Sequence, residues 1–183
     1  MRIEEIREHP LLNPPAPAAR LRILLVEDER QKIDELKSAA RTIGSCRLDL
    51  SEAHDYSSAL DNLRGKKGEA LDSLVMGMVF HDPTWSGEEY PGLKLLDYLR
   101  QVGRKTLPVV VWTQIESRET RKKAGGFGDI KYLLKRRAKA QDVIQEAIEA
   151  ARSGRSQDER PETPPIPPVK TWRSPKPLPD RHP

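Results

Sequence analysis

The chain has 183 residues, of which 36% are hydrophobic and 33% are charged, and its formal net charge is +4. The single cysteine, Cys46, excludes an internal disulfide and favours a reducing compartment. No apolar run approaches the roughly 20 residues of a transmembrane helix, and the charged N-terminus lacks the apolar core of a signal peptide. We therefore expect a cytoplasmic protein without a membrane span.

The 16 prolines divide the chain into three parts. Four lie in residues 1–20 and nine in residues 154–183, which leaves an ordinary globular composition between them. We expect an N-terminal extension at 1–20, one domain at 21–153 and a disordered, proline-rich basic tail at 154–183. The tail could instead be a docking peptide for a groove that binds proline-rich segments, with Trp172 as its anchor.

Short apolar runs alternate with amphipathic segments through the middle of the chain. The apolar runs predict strands at 22–26, 47–53, 73–80, 108–113 and 130–134. Apolar residues spaced three and four apart predict helices at 30–43, 56–63, 92–101, 116–123 and 138–151. Glycine and lysine at 65–68 predict an exposed turn. The alternation favours an α/β fold, with one parallel sheet and helices on both faces.

Polar side chains stand where the predicted strands end. Glu27 and Asp28 follow the first strand, Asp82 follows the third, Thr113 ends the fourth and Lys135 follows the fifth. The carboxyl ends of a doubly wound sheet meet at one edge, where ligands bind. Adjacent carboxylates suit Mg²⁺, and an ammonium and a hydroxyl suit phosphoryl oxygens. The acidic pair could also be simple helix N-terminal charge.

Four segments in order resemble the receiver domains of bacterial two-component response regulators, in the CheY-like superfamily. They are LLVEDE at 24–29, GLKLLDYLR at 92–100, PVVVWT at 108–113 and YLLK at 132–135. The resemblance covers about residues 21–153. It implies a flavodoxin-like, doubly wound (βα)5 fold, whose five parallel strands have the order 2-1-3-4-5.

The resemblance also implies a function and a set of site residues. The protein would be a stand-alone receiver, not an enzyme, that accepts a phosphoryl group from a histidine kinase or phosphotransfer protein and signals by protein–protein contact. Its implied roles are Asp82 as phosphoacceptor, Thr113 as switch hydroxyl, Tyr132 as switch aromatic and Lys135 as phosphoryl contact. Mg²⁺ would be held by Glu27, Asp28, Asp82 and the backbone carbonyl of Thr84.

The position of the phosphoacceptor has two readings. The spacing from Asp82 to Thr113 and Lys135 agrees with the family's pattern, whereas its distance from the first acidic pair is longer than usual. An alignment anchored on Asp72 instead places Gly77 or a neighbour at the acceptor position. The protein would then be a pseudo-receiver adaptor that acts without phosphorylation.

Three further features depart from the family's pattern or add to it. Arg136 stands where the family usually has proline, so a cis peptide bond is not expected there. Gln114 replaces a small residue and could crowd the site. A basic set lies around the fourth helix and fifth strand, and it could be a solvated face, a face for an output partner or a homodimer, or, as a third reading, a nucleic-acid contact without a recognition motif. The set is Arg118, Arg121, Lys122, Lys123, Lys131, Arg136, Arg137 and Lys139.

Overall fold

A computed structural model describes residues 20–44, 46–87 and 89–158. Five parallel strands form one sheet in the order β2-β1-β3-β4-β5, so the expected fold and strand order are confirmed. The strands are β1 (Arg20–Val26), β2 (Arg47–Ala53), β3 (Ser73–Met76), β4 (Val109–Thr113) and β5 (Ile130–Leu134). The helices are α1 (Arg30–Thr42), α2 (Tyr56–Leu63), α3 (Gly65–Glu69), α4 (Pro91–Gln101), α5 (Arg118–Gly125) and α6 (Ala140–Asp158).

The sheet separates two hydrophobic cores because successive side chains of a strand point to opposite faces. Leu21, Ile23 and Leu25 of β1 are buried in a core that includes side chains of α1 and α6. Leu24 and Val26 are buried in the other core, with side chains of α2, α4 and α5. Burial on both faces explains why β1 reads as an almost continuous apolar run.

The third strand is shorter than predicted, and this decides which residue reaches the edge of the sheet. Val26 pairs with Met76 at the end of β3, and the N–H of Gly77 donates to the Val26 carbonyl at 2.9 Å. The prediction that the strand continues through residue 80 is wrong. Met78 and Phe80 are still fully buried, because the loop after β3 packs them into the core with α2 and α4. An apolar run therefore marks burial here and not strand length.

Two other element ends differ from the prediction. The segment 65–68 belongs to the short helix α3 and not to an exposed turn. Gly68 lies so close to the end of α2 that an added Cβ would be 2.0 Å from the Leu63 carbonyl oxygen. The last helix continues to Asp158, although the apolar pattern ends at Ala151, so the start of the expected tail is helical.

The remaining expectations for the termini lie outside the described residues. They are the extension as far as residue 19 and the tail from residue 159 onward, with Trp172. Arg20, expected at the end of the extension, already pairs with Arg47 in the sheet. Among the helices in the described part of the chain, none is long and apolar enough to cross a bilayer.

Candidate functional site

Glu27 is a buried carboxylate at the carboxyl edge of the sheet. It follows β1 directly and is 3% exposed. Its Oε2 lies 2.9 Å from the Lys135 Nζ, whereas its Oε1 is buried without a hydrogen-bond partner among the described residues. Burial raises the pKa of Glu27, and the hydrogen bond and charge of Lys135 oppose that rise. One ammonium therefore carries most of the stabilisation of this charge.

Lys135 is fixed by contacts on several sides. Its side chain is only 10% exposed, and Nζ also lies 3.4 Å from the Glu29 Oε1. Nζ stands 5.4 Å from the centroid of the Trp112 ring, whose Nε1 donates to the Ala138 carbonyl at 3.1 Å. The backbone N–H of Lys135 donates to the Thr113 carbonyl at 2.8 Å. The ammonium is therefore held between the acids and the indole.

Gly77 occupies the first position after β3, beside Glu27. A Cβ added there would lie 3.1 Å from the Glu27 Oε2 and 3.1 Å from the Val79 carbonyl oxygen. A cavity of about 310 Å³ opens next to it. Its lining comprises Asp28, Glu29, Gly77, Met78, Val79, Trp112, Thr113, Gln114, Ile115 and Lys135. The residue that follows β3 and faces the Glu27 carboxylate therefore has no side chain.

Asp82 lies elsewhere, with its own partners. Its carboxylate accepts hydrogen bonds from the Thr84 N–H at 2.8 Å and the Thr84 Oγ1 at 2.6 Å, and it lies 3.3 Å from the Lys94 Nζ. Burial by itself would raise the pKa of Asp82, but the Thr84 hydrogen bonds and the Lys94 ammonium outweigh it and lower the pKa. Asp82 is an ionised side chain that fastens the loop between β3 and α4.

The loop after β3 explains this separation. It leaves the sheet at Gly77, and the His81 carbonyl accepts a hydrogen bond from the Tyr56 N–H at the start of α2, at 2.9 Å. A single bridge also joins His81 to Asp55. The structure thus brings Glu27, Thr113 and Lys135 to one edge and does not place Asp82 among the residues that line the cavity there. Gly77 is the residue of this loop that lies beside Glu27.

The two expected switch residues meet at the loop after β4. The buried Thr113 Oγ1 accepts a hydrogen bond from the Ile115 N–H at 3.1 Å, and the Tyr132 hydroxyl donates to the Ile115 carbonyl at 2.9 Å. Burial raises the pKa of Tyr132, and the Arg121 guanidinium, 5.6 Å from the ring centroid, opposes that rise. Ile115 was not predicted from the sequence, because it makes both hydrogen bonds with its backbone and the identity of its side chain gives no sign of them.

The residues expected to hold Mg²⁺ do not fit that ion. The Glu27 Oε2 is engaged by the Lys135 ammonium, Asp28 is exposed, and Asp82 and Thr84 bond to each other in the next loop. In the described ranges, no group of three or more His, Cys, Asp or Glu side chains is arranged to hold a metal ion. The expected metal set is therefore divided between two places.

The basic set near α5 and β5 is partly neutralised. Its ion pairs are Lys123 with Glu119 at 3.1 Å, Lys131 with Glu146 at 3.1 Å, Arg137 with Glu116 at 3.6 Å, and Arg136 with Glu116. Arg118, Lys122 and Lys139 are exposed, and their side chains form no ion pair within the described part of the chain. At Arg136, as elsewhere in the described residues, the peptide bonds are trans. The surface keeps an excess of positive charge.

Comparisons with known proteins identify the fold. No family model matches the sequence, and no curated protein is significantly similar to it. Among solved structures, the signal receiver domain of a Luxo repressor protein from Vibrio parahaemolyticus is similar with a TM-score of 0.63 and 16% identity, over 76% of this chain and 96% of that one.

Two further structures agree. The receiver domain of the Francisella response regulator 1452 gives a TM-score of 0.57 and 21% identity, over 73% of this chain and 98% of that one. A CheY-like response regulator receiver domain from Methanospirillum hungatei gives a TM-score of 0.60 and 16% identity, over 76% of this chain and 99% of that one. This chain therefore has the fold of receiver domains, as its sequence motifs suggested.

Proposed function

We propose that this protein is a phosphorylation-independent signalling adaptor with a receiver fold, which acts by protein–protein contact in the cytoplasm and catalyses no reaction. The observation that carries the proposal is Gly77. It stands at the end of β3 beside Glu27, Thr113 and Lys135, where a phosphoacceptor would need a carboxylate. A glycine has no atom that can form an acyl phosphate.

Asp82 is a poor substitute for a carboxylate at Gly77. Its side chain is 1% exposed, and its two oxygens are engaged by Thr84 and Lys94. An attacking carboxylate must reach the phosphorus in line, with cationic groups around the transferred oxygens. Lys135, the cation expected in that role, is paired with Glu27. Phosphoryl transfer from a histidine kinase or phosphotransfer protein to Asp82 is thus the competing function, and this geometry does not favour it.

The surface formed by α5 and β5 is the proposed contact for an output partner. Tyr132 is half-buried there, its hydroxyl is hydrogen-bonded to the Ile115 carbonyl, and the Arg121 guanidinium lies over its ring. The uncompensated charges of Arg118 and Lys122 favour a partner with an acidic patch. The same face could form a homodimer only if each copy supplied acidic residues to the other, because like charges across an interface are unfavourable.

The test is a phosphorylation reaction on the full chain. Native protein and Asp82→Asn are incubated with Mg²⁺ and acetyl phosphate, with an active receiver as a positive control, and intact mass is measured. We expect no added phosphoryl group on either form. Addition of beryllofluoride, which mimics a phosphoryl group, is expected to leave the tryptophan fluorescence of the protein unchanged. A phosphoryl adduct on the native chain that Asp82→Asn loses would instead establish the phosphoaccepting receiver.

A further inference from the structure

We infer that the Lys135 ammonium is the resident cation at the carboxyl edge of the sheet, where it takes the place that a divalent metal ion would have beside Glu27. The inference rests on the proposed function to the extent that both begin from Gly77. It adds a role for Lys135 that does not depend on whether any aspartate is phosphorylated. The ligand class that Lys135 excludes is the hard divalent cations, of which Mg²⁺ and Mn²⁺ are examples.

The local charge balance requires a cation at this point. Three consecutive carboxylates, Glu27, Asp28 and Glu29, follow β1. The Lys135 Nζ is within ion-pairing distance of two of them, at 2.9 Å from Glu27 and 3.4 Å from Glu29. No other cationic side chain in the described ranges pairs with Glu27. Without this ammonium, a 3% exposed carboxylate would have no counter-charge.

Burial and several contacts hold the Lys135 ammonium in this position. Lys135 is 10% exposed, its backbone is bonded to Thr113, and its Nζ lies over the Trp112 ring. Gly77 offers no carboxylate that would draw Nζ away from Glu27. An added Cβ there would already be 3.1 Å from the Glu27 Oε2, so the ammonium and this backbone together enclose that oxygen.

The supply of acids is not what keeps a metal ion out. Mg²⁺ retains several waters and commonly uses only one or two protein carboxylates. Asp28 is exposed and can turn toward a cation next to Glu27, and the exposed Glu29 carboxylate already lies 3.4 Å from the Lys135 ammonium. The obstacle is that Nζ already stands at bonding distance from the Glu27 Oε2, and two cations cannot share that position.

Mn²⁺ is the probe, and the full chain is used at neutral pH. Free Mn²⁺ is measured by electron paramagnetic resonance with native protein, with Lys135→Met and with the double variant Glu27→Gln/Lys135→Met. We expect native protein to leave Mn²⁺ free. Lys135→Met should bind it at least about tenfold more tightly than the native chain, in competition with Mg²⁺. The double variant should lose this binding, and Lys135→Arg should resemble the native chain.

Two results would overturn the inference. One is Mn²⁺ binding by native protein as tight as that of Lys135→Met. The other is a folded Lys135→Met, verified by circular dichroism, that still leaves Mn²⁺ free. If Lys135→Met does not fold, Lys135→Gln takes its place, and the native measurement stands on its own. The two proposals fail separately. Mn²⁺ binding by native protein would contradict this inference but would not show that the protein accepts a phosphoryl group. A phosphoryl adduct on Asp82 would contradict the proposed function but would leave the Mn²⁺ result unchanged.

Discussion

At the scale of single residues, the site depends on one buried ion pair. Glu27 and Lys135 are far apart in the sequence, and each lies just beyond the end of a strand. Desolvation of two charges costs several kcal/mol, and mutual attraction must offset this. The Glu27 Oε1 has no hydrogen-bond partner among the described residues, so the offset is incomplete. Such a pair contributes more to the uniqueness of the site than to its stability.

Removing one member of the Glu27–Lys135 pair should lower the free energy of unfolding more than removing both. We expect Lys135→Met to lower the free energy of unfolding by about 3 kcal/mol, because Glu27 is left buried and unpaired. The double variant Glu27→Gln/Lys135→Met should regain most of that loss. Urea denaturation followed by circular dichroism measures both. A double variant as unstable as the single one would show that the pair is not coupled.

At the scale of elements, helix ends and loops carry the specific sequence signals. Asp55 precedes α2, and its carboxylate accepts from the Ser58 N–H at 2.7 Å, while the Ser58 hydroxyl accepts from the Asp55 N–H at 3.2 Å. The backbone hydrogen bond from Ser58 is the main cause that lowers the pKa of Asp55. This reciprocal cap satisfies donors that the first turn of a helix leaves free.

The Asp55 cap gives a pH-dependent contribution to stability. Asp55→Ala should cost about 1 kcal/mol at neutral pH. Because the pKa is lowered in the folded state, this contribution is fully present above the ordinary aspartate pKa and is lost as pH falls through the lowered value. The difference between native and Asp55→Ala stability should therefore shrink in acid. Asp55→Asn, which keeps an accepting oxygen without the charge, should lose less at neutral pH and show a weaker pH dependence.

Gly68 allows α3 to pack against the end of α2. We expect Gly68→Ala to destabilise the protein by about 2 kcal/mol, because the new Cβ would overlap the Leu63 carbonyl and force the backbone to move. Gly125→Ala is the matched control, since a Cβ at the end of α5 meets nothing within 4 Å. The control should be neutral or stabilising by up to about 1 kcal/mol. Thermal unfolding of both variants checks the comparison, and an equal effect would contradict it.

At the scale of the whole molecule, two hydrophobic cores lie on opposite faces of one sheet, and we expect them to unfold as one cooperative unit. The loop after β3 belongs to that unit because Met78 and Phe80 fill the core that contains α2 and α4. Phe80 is 1% exposed, whereas the neighbouring Val79 is 37% exposed. A segment outside the regular strands therefore contributes two large side chains to the core.

This burial should be visible in global unfolding. Phe80→Ala is expected to lower the free energy of unfolding by about 3–5 kcal/mol in a single transition, because it removes a large core side chain. Val79→Ala, one residue earlier, should cost less than about 1 kcal/mol. Denaturant unfolding with far-UV and near-UV circular dichroism tests both. Similar losses for the two variants would mean that the loop does not pack as described.

The loop after β3 also shows how far the fold and the site could be predicted from the sequence. The alternation of strands and helices was readable where an element is long enough to show its period, as in β2 and α1. The five-residue helix α3 is too short for that and was expected to be a turn. Glu27, Thr113 and Lys135 were readable because each lies at a strand end. The end of β3 was not readable, since Met76 and Met78 are equally apolar and only pairing with β1 and β4 separates them. The expectation for Asp82 rested on that boundary together with its spacing to Thr113 and Lys135.

Gly77, the residue that follows β3, has a consequence for how a cell could use this protein. A phosphorylated aspartate is a reversible mark, and it lets one pool of molecules switch between an idle and an active form within seconds to minutes. A protein that lacks this aspartate lacks this switch, so the strength of its signal follows its amount in the cell. On the proposed function, control passes to synthesis and proteolysis, and a change of 1–2 kcal/mol in stability, which can alter abundance several-fold, becomes a change in signal.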